Sequence, residues 1–352
     1  MKKILLFGEF SGLHSNLKEG LEALGHKVIL VSAGDGKKSI SRDIDISLNS
    51  TALIRSFIKN RRAIKKLKNF DIVQFINPYV KPKSTLLHYF LIFRNNKKVV
   101  CLAAGDDIVF SKFIRNKGMN KYSPFDDELD SNIKLPYEER IHKFIQKIII
   151  KRFNLIIPNA YEYAEAYRQS KWKNKTSETI PFPMNTKKIK YEKMELNGKI
   201  VIYHSSNRPV FKGSKFINEA LEIIQERYPE DVEVINASFL PLEEYLSAIN
   251  RTHILIDQCR SYSYAMNALY SLAKGKVVLS GCEEECVKEW GIEDSPVVNI
   301  RPNVDDIVNK LEYLILNRDL ILKLSLESRK FVEQNHNHVD TAQKFLKEWD
   351  KL

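Results

Sequence analysis

Two cations stand close together in a loop that follows an apolar run. Arg208 and Lys212 come after a strand-like stretch at 199–205 and before a helical pattern that begins near Ser214. Guanidinium and ammonium groups pair with phosphate oxygens, and the unpaired N–H groups of a helix N-terminus attract the same anions. Gly213 would let the backbone come close to such a ligand. The spacing predicts a phosphate-binding loop, and an ordinary solvated loop is the alternative.

The composition indicates a globular chain with an excess of positive charge. The chain has 352 residues, enough for two domains, of which 43% are hydrophobic and 28% charged, and its net charge is +12. This charge favours phosphorylated substrates, an anionic membrane surface or nucleic acid as partner. The pattern argues against nucleic acid as the partner, because the cations are spread over helices without an aromatic strand platform or a helix-turn-helix pattern.

Other classes lose support on equally simple grounds. No apolar run approaches the about 20 residues of a membrane span, and the opening apolar run is too short for a signal peptide, so we expect a cytoplasmic protein. The four cysteines are scattered and show no zinc or disulfide pattern. Asp43 and Asp45 match the spelling of a D-x-D motif, but they do not follow a strand as a metal-binding D-x-D would. The Asn335-His336-Asn337-His338 run is interpreted as a helix junction. We therefore expect no metal site.

The first half alternates strands and helices, which is typical of a parallel sheet covered by helices. A strand at 2–7 leads through a loop with Gly8 and Gly12 into a helix that ends at Gly25. The loop lacks G-x-G-x-x-G, which removes the main support for a nicotinamide or flavin site. Further strands are expected at 26–32, 71–77, 97–105 and 154–160, with an irregular insertion at 111–136.

Two helical segments of the first half are both basic and amphipathic. They cover 51–70 and 137–153, where apolar side chains on one face are surrounded by lysine and arginine. Such helices suit the surface of an anionic bilayer. A helix that covers a sheet and exposes a basic face has the same pattern.

A polar, lysine-rich segment at 181–199 predicts a linker, after which the alternation resumes. Two successive α/β halves with a cleft between them are therefore expected. The strands of the second half are predicted at 199–205, 232–236, 253–257, 276–280 and 296–300. Its helices are predicted at 214–227, 241–250, 264–274 and 284–290, followed by helical patterns over 303–350.

The second half resembles the donor domain of the retaining GT-B glycosyltransferases of family four, the glycosyl transferases group 1. The cation loop before a helix is one shared feature, and a later segment matches the family's E-A-M-A-x-G-K-P-V ending at Ala273, Gly275, Lys276, Val277 and Val278. The resemblance implies an α/β GT-B fold, in which two Rossmann-like domains have parallel sheets that face each other across a cleft. The implied divisions are an acceptor-side domain at 1–185, a nucleotide-sugar donor domain at 186–335 and a C-terminal helix at 336–352 that packs back towards the first domain.

The resemblance also implies a donor site, with one departure from the family. The family uses two glutamates eight positions apart for the ribose and the sugar, whereas this chain has Tyr262 and Tyr270 there. The tyrosines either bond and stack on a donor or pack in a chain that no longer binds the usual one. The expected donor-binding residues are His204, Ser206, Asn207, Arg208, Lys212, Gly213, Tyr262, Tyr264, Met266, Asn267 and Tyr270.

The first domain departs from the family as well. Its H-G-x-D segment corresponds to residues 104–107, where Ala104 replaces the histidine and Asp106 and Asp107 follow a strand end. These aspartates are either catalytic or simple helix caps. Gly8, Ser11, Gly12 and His14 border the first strand and helix, and are expected on the acceptor side.

The activity implied is that of a hexosyltransferase-like glycosyltransferase in bacterial surface polysaccharide synthesis. It would move a sugar from a nucleotide-sugar to a glycan or lipid-linked glycan acceptor, with retention and without metal or other cofactor. Arg208 and Lys212 would stabilise the leaving diphosphate, with Asp106 and Asp107 as further catalytic candidates. The protein would be cytoplasmic, with peripheral contact at the inner membrane face. The alternative is a GT-B protein that binds nucleotide-sugars or glycans without catalysis.

Overall fold

The computed structural model describes the chain in two compact units. The described residues are 1–36, 39–48, 52–79, 85–116, 120–123, 125, 135–205, 207–237 and 242–352. The first unit is formed by Met1–Phe113, Lys134–Asn185 and His338–Leu352, and the second by Ile114–Ile133 and Thr186–Asn337. Ser206 of the expected donor site lies outside the described residues, as does half of the expected insertion. The chain therefore enters the second unit briefly before it completes the first.

The first unit is built on a parallel sheet. Its spatial strand order is β3-β2-β1-β4-β5-β6, so the order reverses between β1 and β4. The apolar run of β1 is buried on both faces, as expected for a strand that helices cover on each side. The strands are β1 Lys3–Phe7, β2 Lys27–Ser32, β3 Ile44–Asp45, β4 Ile72–Phe75, β5 Val99–Ala103 and β6 Leu155–Pro158.

Helices cover this sheet, and one of them carries no amphipathic pattern. The helices are α1 Leu13–Ala23, α2 Leu53–Lys65, α3 Thr85–Asn95, α4 Ile108–Ile114, α5 Arg140–Arg152 and α6 Tyr161–Arg168. Helix α3 is apolar over most of its length because it has neighbours on two sides. Phe57 of α2 stacks on its His88, and Arg152 of α5 lies over its Phe90. Helix α4 includes 111–114, so the irregular insertion expected from 111 was placed too early.

The second unit has its own parallel sheet, with spatial order β11-β10-β9-β7-β8. Its strand order reverses between β7 and β9. The strands are β7 Ile200–His204, β8 Val232–Asn236, β9 Ile254–Ile256, β10 Val277–Ser280 and β11 Val298–Asn299. The helices are α7 Pro209–Lys212, α8 Ser214–Arg227, α9 Leu242–Arg251, α10 Met266–Ala273, α11 Glu284–Trp290, α12 Val304–Leu316 and α13 Arg318–Asn335.

The core of the second unit follows from helical and strand periodicity. Ile217, Leu221 and Ile224 lie on one face of α8 and are buried against Ile200 and Ile202 of β7. The predicted bounds of α8 and β8 are confirmed, and the other predicted strands of this unit are found within one or two residues of their expected ends.

The predicted linker contains the boundary between the units, which falls between Asn185 and Thr186. Its second part is held by Arg329 of α13. The guanidinium of Arg329 donates to the carbonyl oxygens of Thr186 at 3.0 Å and Ile189 at 2.9 Å. The start of the second unit is therefore fixed on its own helix.

A final helix, α14 His338–Asp350, packs on α1 within the first unit. The two backbones come so close that a Cβ atom at position 20 would collide with the carbonyl oxygen of His338. Gly20 is therefore required by packing. Phe345 and Trp349 are buried on the inner face of α14. No helix among the described residues has the length and apolarity needed to cross a bilayer.

Candidate functional site

The loop after β7 carries the two cations singled out in the sequence. Helix α7 is a single turn that begins at Pro209, and Gly213 separates it from α8 with φ of 72°. A Cβ atom at Gly213 would collide with the sulfur of Cys259. The glycine is therefore needed for a left-handed turn and for close contact with the loop after β9. The backbone N–H of Cys259 donates to the carbonyl oxygen of Lys212 at 2.9 Å and joins the two loops.

Lys212 lies at the point where the strand order of the second sheet reverses. Its ammonium donates to Oδ1 of Asp257 at 2.8 Å and to the carbonyl oxygen of Ser205 at 3.0 Å. Asn267 donates to the same carboxylate oxygen at 2.8 Å, and the residue Asp257 is only 1% exposed. An ammonium has three N–H donors, so one is left without a partner among the described residues. Ligands bind at such reversal points in open α/β sheets.

Arg208 precedes Lys212 and is exposed to solvent. Its guanidinium lies 4.0 Å from the ring centre of Phe211, which restrains the side chain. The same ring packs against Phe125 at 5.8 Å, and the guanidinium of Arg115 lies 3.8 Å from the Phe125 ring centre. The second unit therefore brings a second arginine to this aromatic stack. Arg115 falls in the segment that the sequence pattern left irregular.

His204 is buried at the end of β7, and both of its ring nitrogens are engaged. Nδ1 lies 2.8 Å from the carbonyl oxygen of Ile256 and Nε2 lies 2.9 Å from Oγ of Ser214. Burial lowers the pKa of His204 to about 4, so the ring is neutral. A neutral ring donates through Nδ1 and accepts the Ser214 hydroxyl at Nε2. His204 therefore joins β7, β9 and the start of α8, and the geometry does not favour its expected contact with a donor.

The two tyrosines at the family's glutamate positions differ in their surroundings. Tyr262 is buried, and its hydroxyl accepts the backbone N–H of Lys121 at 2.6 Å. Tyr270 is half-buried on α10, and the ammonium of Lys274 lies 5.9 Å from its ring centre. Tyr262 therefore holds another segment of the chain. Met266 at the start of α10 is buried in the core.

Tyr264 is a core residue. Its ring packs edge-on against Trp290 at 4.9 Å, and its hydroxyl lies 2.9 Å from Nε2 of His336. Phe331 completes the cluster, with its ring centre 6.1 Å from that of Tyr264. The side chain has no exposed surface. The geometry thus argues against the donor-binding role expected for Tyr264, because the aromatic cluster encloses it.

Glu283, which was not singled out in the sequence, has a carboxylate at the carboxyl ends of the strands of the second sheet, where Lys212 also lies. Glu283 precedes α11, is 3% exposed, and accepts hydrogen bonds from Asn299 at 2.7 Å and from the hydroxyl of Tyr122 at 3.0 Å. Nε of Arg301 and the ammonium of Lys121 each lie 3.3 Å from it. Burial acts to raise the pKa of Glu283, but these hydrogen bonds outweigh it and lower the pKa to about 2. Glu283 is therefore ionised at neutral pH.

The loop after β1 lies where the strand order of the first sheet reverses. Its backbone is left-handed at Gly8, Ser11 and Gly12, with φ of 91°, 55° and 86°. His14 is buried, with Nδ1 2.8 Å from the carbonyl oxygen of Gly8, and burial lowers its pKa to about 4. His14 is therefore neutral and stabilises the turn, while the position of the loop suits a ligand of the first unit.

Glu9 shares this loop and was not singled out in the sequence. One of its carboxylate oxygens accepts the backbone N–H of Ser15 at 2.8 Å, at the start of α1. The other is buried without a hydrogen-bond partner among the described residues. Burial raises the pKa of Glu9 to about 7. The carboxyl group of Glu9 therefore occupies the N-terminus of α1.

Asp107 is the cap of α4. Its Oδ1 accepts the backbone N–H groups of Val109 and Phe110 at 2.7 and 2.8 Å, and its Oδ2 accepts the hydroxyl of Tyr167 at 2.6 Å. Burial raises its pKa to about 6. The geometry therefore favours the capping alternative over a catalytic role. Asp106 is partly exposed beside it.

The expected donor residues fall into distinct groups. Lys212 and Asn267 both donate to the carboxylate of Asp257, which was not predicted, and Arg208 and Asn207 are exposed on the same loop as Lys212. Within the described ranges, no group of three or more His, Cys, Asp or Glu side chains is arranged to hold a metal ion.

Comparison with known proteins identifies the fold. No family model matches the sequence, and no curated protein matches it. A sucrose-phosphate synthase from Thermosynechococcus elongatus is 14% identical, with 100% of this chain and 99% of that chain covered and a TM-score of 0.64. Anabaena HepE in complex with UDP and glucose is 11% identical, with both chains fully covered and a TM-score of 0.62. A glycosyltransferase from Rickettsia africae is 16% identical, covers 99% and 98% of the two chains and has a TM-score of 0.56.

The α/β class with two parallel sheets, expected from the GT-B resemblance, is confirmed by this likeness over the full chain. The same fold is found in a UDP-GlcNAc 2-epimerase from Neisseria meningitidis bound to UDP-GlcNAc, at 12% identity, full coverage of both chains and a TM-score of 0.53. The fold alone therefore does not separate sugar transfer from sugar epimerisation.

Proposed function

We propose that this chain is a glycosyltransferase that uses a nucleotide-sugar donor. The observation that carries the proposal is Lys212, which Asp257 holds at the reversal point of the second sheet and which keeps one N–H donor without a partner among the described residues. Arg208, four residues earlier, adds an exposed guanidinium on the same loop. The likeness to HepE, whose structures contain UDP and UDP-glucose, supports a nucleoside diphosphate or its sugar as the ligand.

The proposed chemistry is transfer with retention, in which the leaving diphosphate guides the acceptor hydroxyl to the same face of the sugar. Charge builds on the diphosphate as the glycosidic bond breaks, and fixed cations lower the barrier by stabilising that charge. Lys212 and Arg208 would take this role. The route needs no pair of protein carboxylates, which agrees with the capping role of Asp107. We propose that no metal or further cofactor takes part.

A titration calorimetry panel tests the nucleotide part of this proposal. We expect UDP or GDP to bind more tightly than the matching monophosphate, since the second phosphate adds charge-assisted hydrogen bonds. Incubation with a UDP-sugar and a glycan acceptor would then release UDP and form a glycoside on the acceptor hydroxyl if the protein is a transferase, whereas water as the acceptor would give UDP and free sugar. Binding without hydrolysis or transfer would favour the non-catalytic alternative, and conversion of UDP-GlcNAc to its 2-epimer would favour an epimerase. Binding of a nucleoside monophosphate alone would indicate a different class of donor.

For the acceptor, we propose a lipid-linked glycan at an anionic membrane surface, in the synthesis of surface polysaccharide. The support comes from apolar side chains exposed on the two basic helices of the first unit. Ile54 on α2 is 77% exposed, while Ile141 and Phe144 on α5 are 72% and 65% exposed. These helices also carry many lysines and arginines. An apolar side chain beside cations is the pattern of a peripheral membrane contact.

Vesicle flotation tests the membrane contact. Replacing Ile54 and Phe144 together by glutamate is expected to lower binding to phosphatidylglycerol vesicles at least about tenfold, because each apolar side chain contributes on the order of 1.5–3 kcal/mol when buried. Leu316→Glu, at an exposed position of the second unit, is the matched control. Equal flotation of the double variant and the wild type would contradict the membrane contact. Equal binding of the wild type to neutral and to phosphatidylglycerol vesicles would contradict the preference for an anionic surface. Either result would favour a soluble acceptor.

A further inference from the structure

Glu283 is joined to the loops that hold Lys212. The loop after β9 begins with Asp257, which binds Lys212, and runs on to Tyr262, whose carbonyl oxygen accepts the backbone N–H of Glu283 at 2.9 Å. The N–H of Gly281 donates to the carbonyl oxygen of Gln258 in the same loop at 2.8 Å. The carboxyl ends of parallel strands lie at one edge of a sheet. The carboxylate of Glu283 and the cation of Lys212 therefore belong to one edge of the second unit.

The hydrogen-bond donors around Glu283 fall into two sets. Asn299 at the end of β11 and Arg301 just beyond it belong to the sheet itself. Tyr122 and Lys121 come from a short segment at 120–123, which we call the strap. The two sets together supply one hydroxyl, one amide and two cationic groups to a single carboxylate. The donors from the sheet would remain if the strap left.

The strap is held by Tyr262, one of the two tyrosines that stand where the family has glutamates. Its backbone N–H at Lys121 donates to the hydroxyl of Tyr262, and the rings of Tyr122 and Tyr262 pack at 5.8 Å. Lys121 also forms an ion pair with Glu285 at 2.5 Å, and its side chain is 45% exposed. Exposed ion pairs add little stability. The strap is therefore held mainly by its two tyrosine contacts, by the buried carboxylate of Glu283, and by the buried hydroxyl of Ser123, which donates to the carbonyl oxygen of Ile114 at 2.6 Å.

We propose that Glu283 is the carboxylate that binds a pair of neighbouring hydroxyls on the donor, and that the strap occupies this place until the donor displaces it. The inference rests on the proposed nucleotide-sugar function. An ionised carboxylate only accepts hydrogen bonds, and two hydroxyls of a diol can supply both donors at once. The Tyr122 hydroxyl and the Lys121 ammonium now fill two of these acceptor positions. A diol would replace them donor for donor, so the buried carboxylate of Glu283 would keep its hydrogen bonds.

The proposal explains how the chain recognises a donor without the two glutamates of the family. Neither Tyr262 nor Tyr270 carries a carboxylate, whereas Glu283 is ionised and lies at the carboxyl end of the next strand. The diol is on either the ribose or the transferred sugar, since both carry neighbouring hydroxyls. The two sources are separated by the choice of ligand in the experiment.

The test is a calorimetric comparison of UDP, 2′-deoxy-UDP and UDP-glucose with three variants. Glu283→Gln keeps the shape but weakens the acceptor, and is expected to lower the affinity for the hydroxyl-bearing ligand at least about tenfold. Tyr122→Phe removes a competing donor, and is expected to raise the same affinity about threefold or more. Glu284→Gln is the matched control, because Glu284 is exposed and pairs only with Lys288 among the described residues.

The ligands assign the source of the diol. If Glu283 binds the ribose, wild-type affinity is lower for 2′-deoxy-UDP than for UDP, and Glu283→Gln abolishes the difference. If Glu283 binds the sugar, wild-type affinity is higher for UDP-glucose than for UDP, and Glu283→Gln abolishes that difference. Unchanged affinities in a folded Glu283→Gln protein, or weaker binding by Tyr122→Phe, would overturn the proposal while leaving the proposed function intact. A wild-type protein that binds neither these three ligands nor GDP would reject both.

Discussion

Replacing Lys212 by methionine is expected to weaken binding of a nucleoside diphosphate by about 10- to 100-fold, the range for a lost hydrogen bond to a charged group. The variant also leaves the buried carboxylate of Asp257 with Asn267 as its remaining side-chain donor among the described residues. Loss of one partner of a buried pair is costly, so the second unit should also unfold at a lower urea concentration. Calorimetry and urea denaturation measure the two effects separately.

A second substitution separates binding from stability. Asp257→Asn in the Lys212→Met background removes the unpaired charge, and is expected to restore most of the stability but none of the affinity. Lys323→Met, at an exposed lysine of α13, is the control for a lost positive charge. If Lys212→Met bound UDP as tightly as the wild type, Lys212 would be a structural residue only. Arg208 would then be the remaining cation of the loop for the phosphates.

Tyr264→Ala is expected to destabilise the second unit by about 3–5 kcal/mol, the usual cost of emptying a large aromatic site in a core. The cavity would lie between Trp290, Phe331 and His336. Tyr264→Phe keeps the ring and loses only the bond to His336, so about 1 kcal/mol is expected. Denaturant unfolding monitored by tryptophan fluorescence reports both values, because Trp290 is part of the cluster.

A comparison with Tyr270 tests whether Tyr264 packs in the core or contacts the ligand. Tyr270 is half-buried, so Tyr270→Ala should cost less stability than Tyr264→Ala. Tyr264→Phe should bind UDP-sugars like the wild type. A loss of UDP affinity in a fully folded Tyr264→Phe protein would contradict the core role and return Tyr264 to the donor site.

The sequence predicted the second unit better than the first for a physical reason. Helix α8 has a regular apolar face and β8 is bounded by turns, so local pattern and tertiary packing agree. Helix α3 is apolar on most sides because α2 and α5 enclose it, so its sequence lacks the period that marks a surface helix. The sequence pattern therefore does not predict α3, which is recognised only in the structure.

The residues of the candidate site were likewise predictable only in part. The loop with Arg208 and Lys212 was predictable, because cations before a helix start have a local signature. Asp257 was not, since its pairing with Lys212 spans 45 positions. Tyr122 and Lys121 lie more than 150 positions from Glu283, in a segment without periodicity. No local pattern distinguishes a tyrosine that holds such a segment from one that contacts a ligand.

The contact between α1 and α14 has a consequence for biosynthesis. Helix α1 leaves the ribosome before residues 186–337 of the second unit, whereas α14 follows the whole of that unit in the chain. The face of α1 around Gly20, which α14 covers in the finished protein, therefore stays open throughout translation of the second unit. The second unit can condense on the nascent chain before the first is closed. The first unit therefore cannot be completed until the second unit has been synthesised.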